Sequence, residues 1–224
     1  GATKTFADGT TKVGQEITFT ESMTLSGSSA GNVTVQVTTP YDYNDDNWPA
    51  TYNDPASNFR VFNVDATGKT ITIENMTIEG GNIEVNSGTA SYGGAIYHVA
   101  GTLNLEGVVV TGSRAVYGGG IYCSSSDATL SIDDCTISYN TTYGEGYAPN
   151  YGAGLYCGGY ADATLTNSTF TRNGCGNNHL GPFSGGEGGG IYTAENATLS
   201  LMNCSIVDNY TTSEDMGASR GGGI

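Results

Sequence analysis

Apolar and polar residues alternate at period two through a block that recurs along the chain. It reads Thr70-Ile71-Thr72-Ile73-Glu74, then Leu103-Asn104-Leu105, Leu130-Ser131-Ile132, Leu165-Thr166 and Leu199-Ser200-Leu201. Successive side chains of a strand point to opposite faces, so this alternation predicts strands with one buried face. No stretch has a sustained helical period. A few residues on, a second apolar column follows: Ile78, Val110, Ile137, Phe170 and Ile206. Between the two columns stand Asn75, Gly107, Asp134, Asn167 and Asn203. These are the residue types that accept a left-handed backbone, so they predict a bend and a structural ladder at one place in every block.

A third element completes the repeat. Gly93-Gly94-Ala95-Ile96-Tyr97, Gly118-Gly119-Gly120-Ile121-Tyr122, Gly152-Ala153-Gly154-Leu155-Tyr156, Gly188-Gly189-Gly190-Ile191-Tyr192 and Gly221-Gly222-Gly223-Ile224 share one pattern, with aliphatic positions 25, 34, 36 and 33 residues apart. Each repeat thus holds three short strands, and the apolar columns make one core only if the repeats stack in parallel. The expected fold is all-β, a right-handed parallel β-helix of about six to seven coils. Residues 1–58 read as an N-terminal cap and first coil, with an irregular excursion at 41–57. Residues 59–224 read as the regular stack, expected to continue beyond 224 or to be completed by another subunit, since Gly221-Gly222-Gly223-Ile224 begins a new strand.

The Gly93-Gly94-Ala95-Ile96 and Phe170-Thr171-Arg172-Asn173 signatures resemble the chlamydial polymorphic outer membrane protein repeat and related adhesin-like proteins. The resemblance spans roughly residues 59–224 and implies a β-helix displayed on a cell surface and used for attachment. The β-helix is also the architecture of pectate lyases and polygalacturonases. A polysaccharide lyase or hydrolase is the expectation the residues support least, because the G-H-G and R-x-K elements of those enzymes are missing. Asp133-Asp134 is explained by the turn column, and His98 and His179 have no partner close in sequence. The expectation is therefore no enzyme, no catalytic residue, no metal and no cofactor. Asp42, Asn44 and Asp46 imitate the start of a calcium loop without its glycine and distal glutamate.

Composition narrows the partners. With 22 acidic against 7 basic residues the chain carries −15, which repels nucleic acid. No apolar run reaches the length of a membrane span. Glycine contributes 35 residues, roughly twice the usual share, as many tight turns require. Five cysteines, an odd number without a C-x-x-C pair, read as buried thiols rather than a disulfide framework: Cys123 with Cys157 in one inward column, and Cys135 with Cys204 in another that Ser168 interrupts.

The candidate binding surface is Tyr97, Tyr122, Tyr156 and Tyr192, each after an inward aliphatic residue and so expected to point outward. Ordinary cross-strand aromatic packing is the competing explanation of that column. Of the N-x-S/T sequons, Asn32, Asn140, Asn196 and Asn209 are expected at the surface as glycan acceptors, whereas those at Asn75, Asn167 and Asn203 are assigned to the ladder. The function expected is that of an extracellular or cell-surface adhesin-like rod. Its partner is a receptor on a host or neighbouring cell, a glycan, or further copies of itself; the alternative is a filament or sheath subunit assembling end to end.

Overall fold

The computed structural model describes residues 2–13, 15–37, 59–83, 91–144, 150–177, 185–212 and 220–224. Among them every regular element is a β-strand, and every pairing between named strands is parallel. The calcium-loop imitation at Asp42, Asn44 and Asp46, the excursion at 41–57 and His179 lie outside the described residues.

Strands that fall at the same place in successive repeats pair with each other in the same order. Ile121–Ser124 lies between Ile96–Glu106 and Leu155–Gly158, with Ile96, Ile121, Leu155 and Ile191 in register. Ala128–Asp133 pairs with Ile96–Glu106 on one side and Asp162–Thr166 on the other. Thr136–Ser138 sits between Val109–Thr111 and Thr169–Thr171. Parallel register superposes identical positions, so the period-two pattern makes continuous apolar ranks. Ile73, Leu105, Ile132 and Leu165 are fully buried in one rank, and Ile78, Val110, Ile137 and Phe170 in another. Each such side chain adds roughly 1.5–3 kcal/mol relative to its exposed state.

The five strands before residue 38 belong to the same sheets. Ile17–Phe19 and Met23–Ser26 pair with Phe62–Glu74, and Val33–Val37 pairs with Thr77–Glu79. Beyond them, Ala2–Thr5 and Gly9–Val13 add a further tier.

The strand count per repeat differs from three. In two repeats the first two strands run together as Phe62–Glu74 and Ile96–Glu106, passing over Gly68 and Gly101, whose positive φ bends the chain without breaking the run. Later repeats gain strands instead. Arg114–Ala115, Thr141–Gly144, Gly174–Asn177 and Tyr210–Thr211 form a separate sheet, and Asn150–Tyr151 pairs with Gly186–Glu187. These segments are two to four residues long and contain no Val, Ile, Leu or Phe, so they carry no aliphatic alternation to announce them.

The turn residues Asn75, Gly107, Asp134, Asn167 and Asn203 have φ of 51–61°. Their ladder is partial and exposed: Asn203 donates to Asn167 Oδ1 at 3.3 Å, but Asn167 donates to Asp133 Oδ1 at 3.0 Å rather than to Asp134. A second, buried ladder runs through the last residue of the I/F-x-x-N motif. Asn140 Nδ2 donates to Asn173 Oδ1 at 3.1 Å, and Asn173 Nδ2 to Asn209 Oδ1 at 2.9 Å. Asn140 also donates to Val110 O at 3.0 Å, and its own Oδ1 accepts from the Ser113 N–H at 3.1 Å.

This corrects the placement of the sequons. Asn140 is 0 % exposed and the Asn209 amide nitrogen is engaged with Phe170 O at 2.8 Å, so neither presents a free amide to a glycosyltransferase. Asn32 and Asn196 are exposed, and so are Asn75, Asn167 and Asn203 of the turn column.

Candidate functional site: a double file of tyrosines

Tyr97, Tyr122, Tyr156 and Tyr192 are in register and half-buried, and their rings stack with centroids 5.5, 5.0 and 5.4 Å apart and planes within 24° of parallel. Such spacing is the favourable range for aromatic pairs. Each ring follows a buried aliphatic residue, so the pleat turns it to the outer face.

A second file lies beside the first. Tyr92, Tyr117 and Tyr151 stand just before the glycine turn, with centroid steps of 5.4 and 5.7 Å. The turn itself explains the juxtaposition. Gly118 takes φ of 65°, and a Cβ there would fall 2.4 Å from the Ile121 carbonyl oxygen, so only glycine folds the chain back tightly enough to bring Tyr117 beside the first file. Cross-links between the files are equally close: Tyr92 to Tyr122 at 4.7 Å and Tyr151 to Tyr192 at 4.4 Å. The tyrosine immediately before each glycine-aliphatic motif was there to be read in Tyr92-Gly93, Tyr117-Gly118 and Tyr151-Gly152. Glu187 at the next equivalent place, after loops of unequal length, hides the column in the sequence.

Ion pairs border the files. Arg60, bridged to Glu16 at 3.0 Å, lays its guanidinium 4.6 Å from the centre of the Tyr97 ring. At the other end Glu187, in register with Tyr151, pairs with Arg220 at 3.5 Å. Burial raises the Tyr122 and Tyr156 phenols, with the neighbouring phenols adding to it, and carries Tyr156 to about 12. Tyr122 and Tyr156 therefore stay protonated and uncharged near neutral pH.

Behind this surface the inward rank Val64, His98, Cys123, Cys157, Thr193 runs through the core. His98 Nε2 lies 3.0 Å from the Gly101 carbonyl, which can only accept, so Nε2 carries the proton and Nδ1 faces Cys123 Sγ at 3.6 Å as acceptor. Burial pushes His98 down to about 4 and pushes the Cys123 thiol up, which keeps both neutral. The pair is suited to packing rather than to nucleophilic chemistry, which needs a thiolate. All five cysteines are free. In the other thiol column Cys135 accepts from the Val108 N–H at 3.4 Å, and Ser168 Oγ accepts from the Cys135 N–H at 3.0 Å. Among the described residues no group of three His, Cys, Asp or Glu is placed to hold a metal ion.

Compared with known proteins, the chain matches no family model, no curated protein and no solved structure.

Proposed function

We propose that the chain is a right-handed parallel β-helix that serves as a rigid extracellular attachment surface, with the tyrosine files as its contact face. The observation that carries this reading is the double file itself: seven half-buried aromatic side chains held in two ranks on a stack of parallel strands. A surface already ordered before contact loses little side-chain freedom on binding. Tyrosine offers an apolar body and a polar tip, the combination that recurs at recognition surfaces. Here the ring faces are turned to one another along each file, so a partner meets ring edges and hydroxyls. That favours a partner rich in hydrogen-bonding groups, a glycan or a glycosylated receptor, over one that stacks flat on a ring. The net charge of −15 disfavours polyanionic glycans.

The test is binding of the purified chain to an array of neutral and acidic glycans and to cultured cells, for the native sequence and for a Tyr97→Ser, Tyr122→Ser, Tyr156→Ser variant. Truncating a central contact residue costs ~2 kcal/mol or more, roughly a thirtyfold loss of affinity. A variant that keeps its circular dichroism and its binding removes the tyrosine files from the contact face.

A further inference from the structure

The same geometry supports chemistry that does not depend on any attachment partner. Tyrosine is the side chain here that can give up one electron and one proton to form a neutral radical, and the two files place its rings in near-contact. No step along the first file exceeds 5.5 Å between centroids, and none along the second exceeds 5.7 Å. Four cross-links join them: Tyr92 to Tyr97 at 6.1 Å, Tyr92 to Tyr122 at 4.7 Å, Tyr117 to Tyr156 at 5.9 Å and Tyr151 to Tyr192 at 4.4 Å. Electron transfer between aromatic rings falls off steeply with the gap between them, and these gaps are close to van der Waals contact.

We propose that the double file is a one-electron relay, along which an oxidising equivalent delivered by an external one-electron oxidant spreads from block to block. In the first step one phenol gives an electron to the oxidant and its proton to water, leaving a phenoxyl radical. In each later step the neighbouring phenol passes an electron to that radical. The proton regained by the old radical and the proton lost by the new one are exchanged with water at the exposed ring edges. Each hop therefore leaves charge and atoms balanced, and the oxidant alone is reduced.

Two observations favour a redox role over packing alone. Phenylalanine stacks as well as tyrosine, yet none of the described phenylalanines occupies either file. Moreover the rings are half-buried rather than enclosed, which leaves an edge where a proton can depart. The network also has a defined weak point. With Tyr156 removed, a route remains through Tyr122, Tyr92, Tyr117, Tyr151 and Tyr192. With Tyr117 removed, the first file is still continuous. Removing both leaves Tyr151 and Tyr192 with no close contact to Tyr92, Tyr97 or Tyr122.

The experiment uses the full chain with a ruthenium polypyridyl photosensitiser on a Glu195→Cys side chain, at an exposed turn three residues after Tyr192, in a Cys204→Ser background. A 3-aminotyrosine incorporated in place of Tyr97 acts as a radical sink with its own absorption spectrum. After a flash with a sacrificial quencher, the relay predicts a fast sink signal in the intact double file, in Tyr117→Phe and in Tyr156→Phe, and loss of that fast phase in Tyr117→Phe/Tyr156→Phe. Tyrosine-to-phenylalanine changes retain the stacking, and matching circular dichroism establishes that the fold is kept. A fast sink signal that survives in the double variant, or none in the intact chain, overturns the proposal. Loss in either single variant overturns the two-route network.

Discussion

Replacing Asn173 by alanine removes a side chain that makes four hydrogen bonds in the interior. Its Nδ2 donates to Ile137 O at 2.8 Å and to Asn209 Oδ1 at 2.9 Å, and its Oδ1 accepts from the backbone N–H and the amide of Asn140, both at 3.1 Å. Three of the four partners have somewhere else to turn. Asn140 Nδ2 keeps Val110 O, Asn209 Oδ1 keeps the Asn173 N–H, and the Ile137 carbonyl keeps its place in the parallel ladder with Thr169–Thr171. The Asn140 N–H loses the partner the side chain gave it. A buried group left unpaired costs about 1–3 kcal/mol, and the cavity left by the side chain adds to that. Together the two are a sizeable share of the roughly 5–15 kcal/mol typical of a folded domain. Asn203→Ala is the matched control. Asn203 is exposed, contributes one hydrogen bond of 3.3 Å and takes φ of 55°, which costs alanine ~1–2 kcal/mol. Guanidinium unfolding followed by circular dichroism, with unchanged dependence on denaturant, measures both. Asn173→Ser, which imitates Ser113 at the equivalent place two repeats earlier, should lose less than Asn173→Ala. If Asn173→Ala proves no more costly than Asn203→Ala, the buried ladder is not what holds these turns.

Acid should weaken the fold through His98. Its native pKa is pushed down to about 4 by burial, whereas the unfolded chain binds that proton near 6.5, so the unfolded state alone takes it up between those values. The stability it contributes is complete above pH ~6.5 and falls by about 3 kcal/mol on the way to pH 4. His98→Val, copying Val64 in the same rank, should flatten that slope in unfolding measured from pH 7 to pH 4. The thiols should divide four to one. Burial carries Cys157 to about 11 and both Cys135 and Cys175 to about 12, Cys123 is raised as well, and only Cys204 among the five is not fully buried. Iodoacetamide on the native protein should therefore modify Cys204 alone; mass spectrometry showing alkylated Cys123 or Cys175 would contradict the packing described.

The parallel ranks were legible because one period governs them. A residue such as Leu105 or Ile132 can be buried only if its repeat mates are stacked beneath it. The two asparagine columns were not separable by the same means, since both follow the end of a strand and both carry sequons. Backbone conformation distinguishes them. Asn75, Asn167 and Asn203 themselves take the left-handed turn and are exposed. Before Asn140, Asn173 and Asn209 it is the preceding residue, Tyr139, Arg172 or Asp208, that takes φ of 54–55°, and the asparagine that follows is directed inward. Nothing in composition encodes that one-residue offset. The second tyrosine file escaped for a related reason: it is created by the glycine turn, which joins Tyr117 to the file of Tyr122 in space while five positions separate them in sequence.

The hydrogen bonds of the long sheets all point from one repeat to the next, and this gives the protein a mechanical character. Tension applied along the stack is carried by every backbone bond of one boundary at once, because they lie side by side and in the direction of the pull. Force on a free chain end meets them one strand at a time and peels the molecule like tape. The same sequence is therefore strong or weak according to where it is held, and an anchor that grips several repeats together would preserve its strength.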